Sequence, residues 1–281
     1  MRAHAAVAGR PGRIVEPRID RAFNRINYCV LALFALSVLY PLVYVLSSSL
    51  SAPAARRAGQ VWLWPVGTNL DAYRSVVDSP VVLTALLNSI VYAVAGAVIG
   101  TVLTVLCAYP LSRADLVGRR VLTVFLLVPM LFSAGVIPTY IVVRELGLLN
   151  TRWAIVLPAA MSIFNVIVTR TFFQVTVPVE LLEAARVDGA DDFRFVWRVA
   201  IPLSKPILAV NMLFYAVAQW NSWFPAFIYL NRPKLYPIQL LLQQGYSHQA
   251  AVVVVAMLPP LLMFPFVQRF LVQGVLLGSM R

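Results

Sequence analysis

The chain has 281 residues, of which 60% are hydrophobic and 12% are charged, and its formal net charge is +12. Soluble domains carry about 25% charged residues, so this composition excludes a soluble enzyme, a disordered chain and a disulfide-stapled scaffold. The basic residues lie between long apolar runs and not on one solvated face, which favours a membrane protein over a nucleic-acid-binding protein.

Six stretches of at least 17 residues contain no Asp, Glu, Lys or Arg. A membrane-spanning helix needs about 20 mostly apolar residues, and these stretches lack the alternating polarity of a spanning β-strand. Only helices remain, because lipid leaves no other way to satisfy the backbone of such segments. The sequence therefore predicts an all-α membrane protein with six transmembrane helices. The predicted spans are 27–46, 84–109, 121–143, 153–173, 206–230 and 250–267.

Residues 1–25 form a basic arm, and residues 26–281 are predicted to form one transmembrane domain. The first span could be read as a cleaved signal peptide, with the small residues of 47–55 as its cleavage site. Its charged leader is long, however, and its apolar stretch exceeds the roughly 7–15 residues of a signal sequence. We therefore expect an uncleaved anchor.

The distribution of Lys and Arg predicts the orientation of the chain. Of the 23 basic residues, 16 lie in the N-terminal arm, the connections near 110–120 and 170–205, and the C-terminus, against 7 in the other connections. The richer side of a membrane protein faces the cytoplasm. We expect a multi-pass protein of the bacterial cytoplasmic membrane with both termini inside.

The sequence shows no motif for catalysis, metal binding or nucleotide binding. Cys29 and Cys107 both fall inside predicted spans, and His4 and His248 are far apart, so neither a disulfide nor a metal cluster is expected. The chain has no Gly-x-x-x-x-Gly-Lys-Ser/Thr motif to hold phosphates, and no catalytic arrangement of Ser, His or acids. It is predicted to be a non-enzymatic subunit without a cofactor.

The segment 174–206, called the hook below, is too polar to enter lipid and too apolar for a free linker. Pro178 suits a helix start and Gly189 a helix end, so a short helix is predicted over 178–187. Asp191 or Asp192 can cap a second helix through Val199, which Pro202 would close. Such a helix–glycine–helix hook on the cytoplasmic face predicts a protein partner.

The hook resembles the EAA loop of bacterial ABC importer permeases. The match consists of Glu183-Ala184-Ala185, then Gly189 after three intervening residues, then Val199-Ala200-Ile201-Pro202 after nine intervening residues. This resemblance implies a type I (MetI-like) permease fold and a coupling helix that docks on a cytoplasmic ATPase. It assigns ATPase coupling to Glu183, Ala184, Ala185, Asp188, Gly189 and Pro202.

Other segments resemble carbohydrate permeases of the maltose-transporter class, and within it the subgroup for oligosaccharides and polysaccharide fragments. They include Asn88-Ser89, Ala108–Arg113, Trp220–Phe224 and Leu146–Asn150. The resemblance implies a heterodimer with a second homologous permease, an ATPase dimer that binds ATP and Mg, and an extracytoplasmic solute-binding protein that delivers the carbohydrate. Lipid surrounds such a protein, and no nucleic acid partner is expected.

A sugar needs hydrogen-bonding groups for its hydroxyls and aromatic rings for its C–H faces. Polar and aromatic residues inside the predicted spans are therefore the candidates for the substrate path, as alternatives to interhelical hydrogen bonds or interfacial tryptophans. They are Asn165, Tyr215, Gln219, Trp220, Asn221 and Trp223. A secondary transporter would carry ionisable residues in its spans. An importer permease for an amino acid, peptide or metal remains the alternative, because permeases for those solutes share this type of hook.

Overall fold

The computed structural model describes residues 18–132, 134–245 and 248–279, which fall into two compact units, Met1–Asn69 and Leu70–Arg281. In the described residues the regular structure is helical apart from an isolated antiparallel bridge between Ser51 and Thr68. Most of the predicted basic arm, up to residue 17, lies outside the described residues. The division into an arm and a transmembrane domain stays a prediction.

The first unit contains α1 (Arg18–Ser49) and α2 (Pro53–Arg57). α1 includes the first predicted span, and its side chains are exposed from Phe23 to Val43 with few exceptions. A buried serine run ends the helix: the Ser47 hydroxyl donates to the Leu63 carbonyl at 2.5 Å, and that of Ser51 donates to the Ser47 carbonyl at 2.6 Å. These bonds fix the chain after α1 against the helix end.

The second unit holds the remaining helices. They are α3 (Asp71–Val77), α4 (Pro80–Ser112), α5 (Arg119–Leu131), α6 (Val136–Glu145), α7 (Trp153–Val156), α8 (Ile163–Thr176), α9 (Val179–Val187), α10 (Asp192–Phe195), α11 (Ile201–Leu203), α12 (Lys205–Trp220), α13 (Trp223–Tyr229), α14 (Ile238–Gln243) and α15 (Gln249–Ser279). Residues Val196–Ala200 form a π-helix and Pro233–Leu235 a 3₁₀ turn.

Two described helices are long and apolar enough to cross a membrane alone, namely Asp20–Ser49 and Pro80–Ser112. The sixth predicted span lies within α15. The other three predicted spans are each divided into shorter helices. The third is interrupted between α5 and α6, where Gly135 has φ +82°; the fourth at 157–162, which contains Pro158; and the fifth at Asn221–Ser222. Glycine and proline weaken a helix at the first two sites.

α4 is the centre of the second unit, because it packs against α12, α8 and several shorter helices. Ser79 caps it and Pro80 occupies its first turn. Gly96 and Gly100 let α12 approach closely: an added Cβ would come within 2.2 Å of Gln219 and 2.7 Å of Tyr215. Small residues at such spacing allow two helix backbones to approach in a membrane.

Candidate functional site

The first helix of the hook has the predicted form. α9 runs from Val179 to Val187 after Pro178, with Glu180 in its first turn. Its end is a Schellman motif: Gly189 has φ +78°, its N–H donates to the Arg186 carbonyl at 3.0 Å, and the Ala190 N–H donates to the Ala185 carbonyl at 2.9 Å. Gly189 is thus required for the turn, because side chains disfavour this φ.

The second helix of the hook is capped as expected but ends later. The Asp191 carboxylate accepts from the Arg194 N–H at 2.6 Å. The prediction that Pro202 closes this helix after Val199 is wrong, since helical structure continues to Leu203. Ile201 N–H donates to the Val196 carbonyl, five residues back, and this wider π-type turn precedes the proline that would distort a regular helix.

The hook joins α12 through a sharp bend. The helical segment Asp192–Leu203 and the segment Lys205–Trp220 meet at 80°. Ser204 lies at the bend; its N–H donates to the carbonyls of Ala200 and Ile201, both at 3.1 Å, and it is fully buried. Pro206 lies in the first turn of α12, a position that suits proline, and its ring cannot continue the preceding helix. The bend therefore has a defined position and a defined cause.

The hook presents its EAA residues in two directions. Glu183, Ala184, Asp188 and Gly189 are exposed, and Ala185 is half-buried. On the opposite face of α9, Leu182 is buried in a cluster with Phe173, Phe195 and Ala200. One face thus fixes the hook to the helices, and the other is open to a partner.

A chain of four charges joins the hook to the connection that follows α4. The Arg113 guanidinium donates to both carboxylate oxygens of Asp115, at 2.6 and 2.9 Å, and lies 3.6 Å from Asp192 Oδ1. Arg186 donates to the same Asp192 oxygen at 3.2 Å. The Arg113 side chain is only 14% exposed. Its hydrogen bonds lower the pKa of Asp115 to about 2.

The C-terminal end of α4 is held by α8. Arg170 Nε donates to the Leu111 carbonyl at 3.0 Å, and the Gln174 amide to the Ser112 carbonyl at 3.5 Å. These carbonyls have no partner within their own helix, so the two side chains act as a C-terminal cap. A cleft of about 360 Å³ separates this end of α4 from α9, and Glu183 and Arg186 are among its lining residues.

Two of the predicted substrate-path residues lie in the helix interface. Gln219 is 2% exposed, and its amide donates weakly to the carbonyls of Ile155 at 3.4 Å and Val156 at 3.5 Å. The Tyr215 hydroxyl bonds Thr104 at 2.6 Å and accepts from the Ser162 N–H at 2.9 Å. Gln219 therefore holds the chain just before the break at 157–162, and Tyr215 holds the end of that break.

The other candidates have different surroundings. Asn165 is buried near the start of α8 and Trp220 packs partly buried against the cluster around Ala72 and Ile238, whereas Asn221 is exposed. Trp223 is 39% exposed, with its ring edge-on to Phe224. Gln219, Trp220 and Trp223 do not share one helical turn, because α12 ends at Trp220 and α13 begins at Trp223.

Sequence reasoning gave no role to a polar clamp at the other end of α4. The Asn88 amide donates to the carbonyls of Lys234 at 2.8 Å and Tyr236 at 3.2 Å. The Ser89 hydroxyl accepts from the Ile238 N–H at 2.8 Å, and that of Tyr92 donates to the Leu235 carbonyl at 2.8 Å. Polar residues at 88, 89 and 92, one helical turn apart, were the available signal for such a role.

Comparison with known proteins agrees with this architecture along most of the chain. Residues 100–277 match the family described as "Binding-protein-dependent transport system inner membrane component". The "Polygalacturonan/rhamnogalacturonan transport system permease protein YtcP" of Bacillus subtilis (strain 168) is 37% identical over 93% of this chain and 99% of its own. "Protein LplC" of the same organism is 36% identical over 94% of this chain and 96% of its own.

A solved structure has the same fold. It is titled "Crystal structure of a bacterial ABC transporter involved in the import of the acidic polysaccharide alginate". It is similar to this chain with a TM-score of 0.86 and 34% sequence identity, over 92% of this chain and 99% of the matched chain. The likeness therefore covers both the hook and the helices around α4.

Proposed function

The chain belongs to the family of binding-protein-dependent transport system inner membrane components, and we propose that it forms one half of the path by which an ABC importer takes up a carbohydrate. It is a multi-pass membrane subunit and not an enzyme. The observation that carries the substrate class is the 37% sequence identity, over nearly the full length of both chains, to a permease named for polygalacturonan and rhamnogalacturonan. An oligosaccharide or polysaccharide fragment is therefore the proposed cargo, delivered by an extracytoplasmic binding protein.

Energy comes from a partner in this proposal. The exposed face of α9, with Glu183, Asp188 and the turn at Gly189, docks on a cytoplasmic ATPase dimer that binds ATP and Mg. Support comes from the two-sided geometry of the hook, which buries Leu182 and leaves the acidic and small residues open. The small side chains of Ala184 and Ala185 allow the ATPase to approach the backbone of α9 closely. Pro202 follows the π turn that leads to the bend.

The second permease subunit and the orientation are part of the same proposal. Both termini face the cytoplasm, because that side would then hold 16 of the 23 basic residues. The side chains of α1 are exposed within this chain, as suits a helix surrounded by lipid and by a homologous partner. The complex is a heterodimer of permeases in the cytoplasmic membrane.

Trp223 is the best placed of the candidate substrate contacts. Its ring is partly open to solvent next to the break between α12 and α13, where Asn221 is also exposed. An exposed ring and an exposed amide near the same break supply a stacking surface and a hydrogen-bonding group for a sugar, the Asn221 amide nitrogen also donating to the Val217 carbonyl at 2.8 Å. Gln219, Trp220 and Asn165 contribute by shaping the path from within the helix packing.

Reconstitution tests the proposal. The complete complex, with both permeases, the ATPase and the binding protein, is placed in proteoliposomes and supplied with labelled oligogalacturonides, alginate oligosaccharides or maltodextrins. ATP-dependent uptake of at least one saccharide is expected. Uptake of an amino acid, a peptide or a metal ion, with none of any saccharide, would overturn the substrate class and leave the importer assignment intact.

A further inference from the structure

The hook is joined to the helix bundle by two covalent connections, by buried packing and by an ion pair. Val177 links it to α8, and Ser204 links it to α12 through the 80° bend. The ion pair joins Arg113 and Asp192, which are 79 positions apart in sequence. It is the contact by which charged groups tie the hook to the end of α4.

The arrangement of the charges makes Asp192 a shared acceptor. Its Oδ1 lies 3.2 Å from Arg186 of α9 and 3.6 Å from Arg113, so the carboxylate is held between the two halves of the hook and the α4 connection. Arg113 is in turn fixed by its two bonds to Asp115 and by a longer bond, 3.4 Å, to the Tyr109 hydroxyl. A planar guanidinium can make these contacts at once, which an ammonium group cannot.

On the basis of the proposed function, we propose that Arg113 is a positioning residue for energy coupling. Through Asp192 it fixes the angle of the hook relative to α4, so that a displacement of the hook by the ATPase moves α4 together with α12. Without this tether the hook still docks and ATP is still hydrolysed. The displacement is then taken up by rotation at Ser204 and Val177, and less of it reaches the transport path.

The ion pairs of Arg113 contribute little to the stability of the folded protein. The partners Asp115 and Asp192 are 61% and 58% exposed, and ion pairs with exposed partners contribute little to the free energy of unfolding. The burial that anchors the hook comes from Leu182 and Phe195, which the charge network leaves untouched. Removing the network therefore changes the position of the hook more than its folding, and this difference can be measured.

The experiment uses the complete complex in proteoliposomes and measures saccharide transported per ATP hydrolysed. Arg113→Gln is expected to lower this ratio by about fivefold, which is within the range for residues that modulate coupling between sites. Asp192→Asn should lower it in the same direction, and Arg113→Lys should recover part of the loss. Arg120→Gln on α5 and Asp78→Asn at the end of α3, both exposed and outside the hook, are matched controls, expected to keep the wild-type ratio.

A double-variant comparison identifies the pair. If Arg113 acts through Asp192, Arg113→Gln combined with Asp192→Asn should be no worse than Arg113→Gln alone. Wild-type ratios in both single variants, or losses that add in full, would overturn the inference, as would a fall in thermal stability that parallels the fall in ratio. Failure of the wild-type complex itself to take up any saccharide would instead count against the proposed function.

Discussion

Gln219 occupies the space that a side chain at Gly96 would need: a Cβ added to Gly96 would lie 2.2 Å from Gln219 Cγ and 2.9 Å from its Cδ. The contact joins α4 to α12 at the centre of the second unit, beside a similar contact between Gly100 and Tyr215. Because Gln219 is buried and bonded to the backbone at Ile155 and Val156, it has little room to withdraw.

Gly96→Ala should therefore destabilise the protein. Overpacking of a tight contact costs about 1–3 kcal/mol, and the better helix propensity of Ala returns up to about 1 kcal/mol of it. The measurement is the melting temperature of the purified complex. Val98→Ala, an exposed position on the same helix, is the control. An unchanged melting temperature in Gly96→Ala would show that Gln219 can move aside.

Gly189→Ala should reduce coupling more than a matched substitution elsewhere. Its φ of +78° strains any side chain by about 1–2 kcal/mol, although the space around it is open. Gly147 ends α6 with φ +67° and equally open surroundings, so Gly147→Ala carries the same strain far from the hook in sequence. Similar losses of thermal stability are expected for both, with a loss of uptake per ATP in Gly189→Ala alone.

Gly189→Pro is the more severe variant, because proline cannot adopt a positive φ. The subunit should still insert in the membrane, and co-purification with the ATPase should fall. Wild-type coupling in Gly189→Pro and in Glu183→Arg would contradict the assignment of α9 as the docking helix.

Trp223→Ala should lower saccharide uptake at limiting concentration and reduce thermal stability less than Trp220→Ala does. The physical reason is that the Trp223 ring is 39% exposed, so its loss removes a stacking surface and less packing than the loss of a more buried ring. Trp220→Ala should show the opposite balance, since Trp220 packs against the cluster around Ile238. Phe227→Ala, exposed on the same helix as Trp223, is the control. Normal uptake in Trp223→Ala would place the main sugar contacts in the partner permease.

The orientation is checked with a reporter that is active only in the cytoplasm. Fusions after Ser112 or Ala200 should be active, and fusions after Ala54 or Lys234 should be silent, because the basic residues divide 16 to 7 between the two sides. Activity after Ala54 would reverse the orientation and place the hook on the wrong side for an ATPase.

The parts of the fold that could be predicted depend on local chemistry. The two helices of the hook and their caps follow from Pro178, Gly189 and Asp191, each of which acts within a few residues of its own position. The breaks in the third and fourth spans lie at Gly135 and Pro158, but both residue types also occur inside intact helices here, as Pro110 and Gly96 do in α4. Composition alone therefore could not place them.

The contacts that define the candidate site are not local. Arg113 and Asp192, or Gly96 and Gln219, are separated by many residues and become neighbours only through the packing of α4, the hook and α12. A single sequence shows which residues carry charge or lack a side chain, but not which pairs meet. The same limit explains why Gln219 looked like a substrate contact and lies in a helix interface.

The continuity of α4 has a mechanical consequence. Its 33 residues rise 1.5 Å each, so the helix is about 50 Å long, and its fastenings at Asn88 and Leu111 are about 35 Å apart. Its neighbours are jointed at 157–162, at Ser204 and at Asn221–Ser222. α4 is therefore a rigid element, and the segments packed around it can rotate at their breaks. When α4 rotates about a point between its two fastenings, its two ends move in opposite directions.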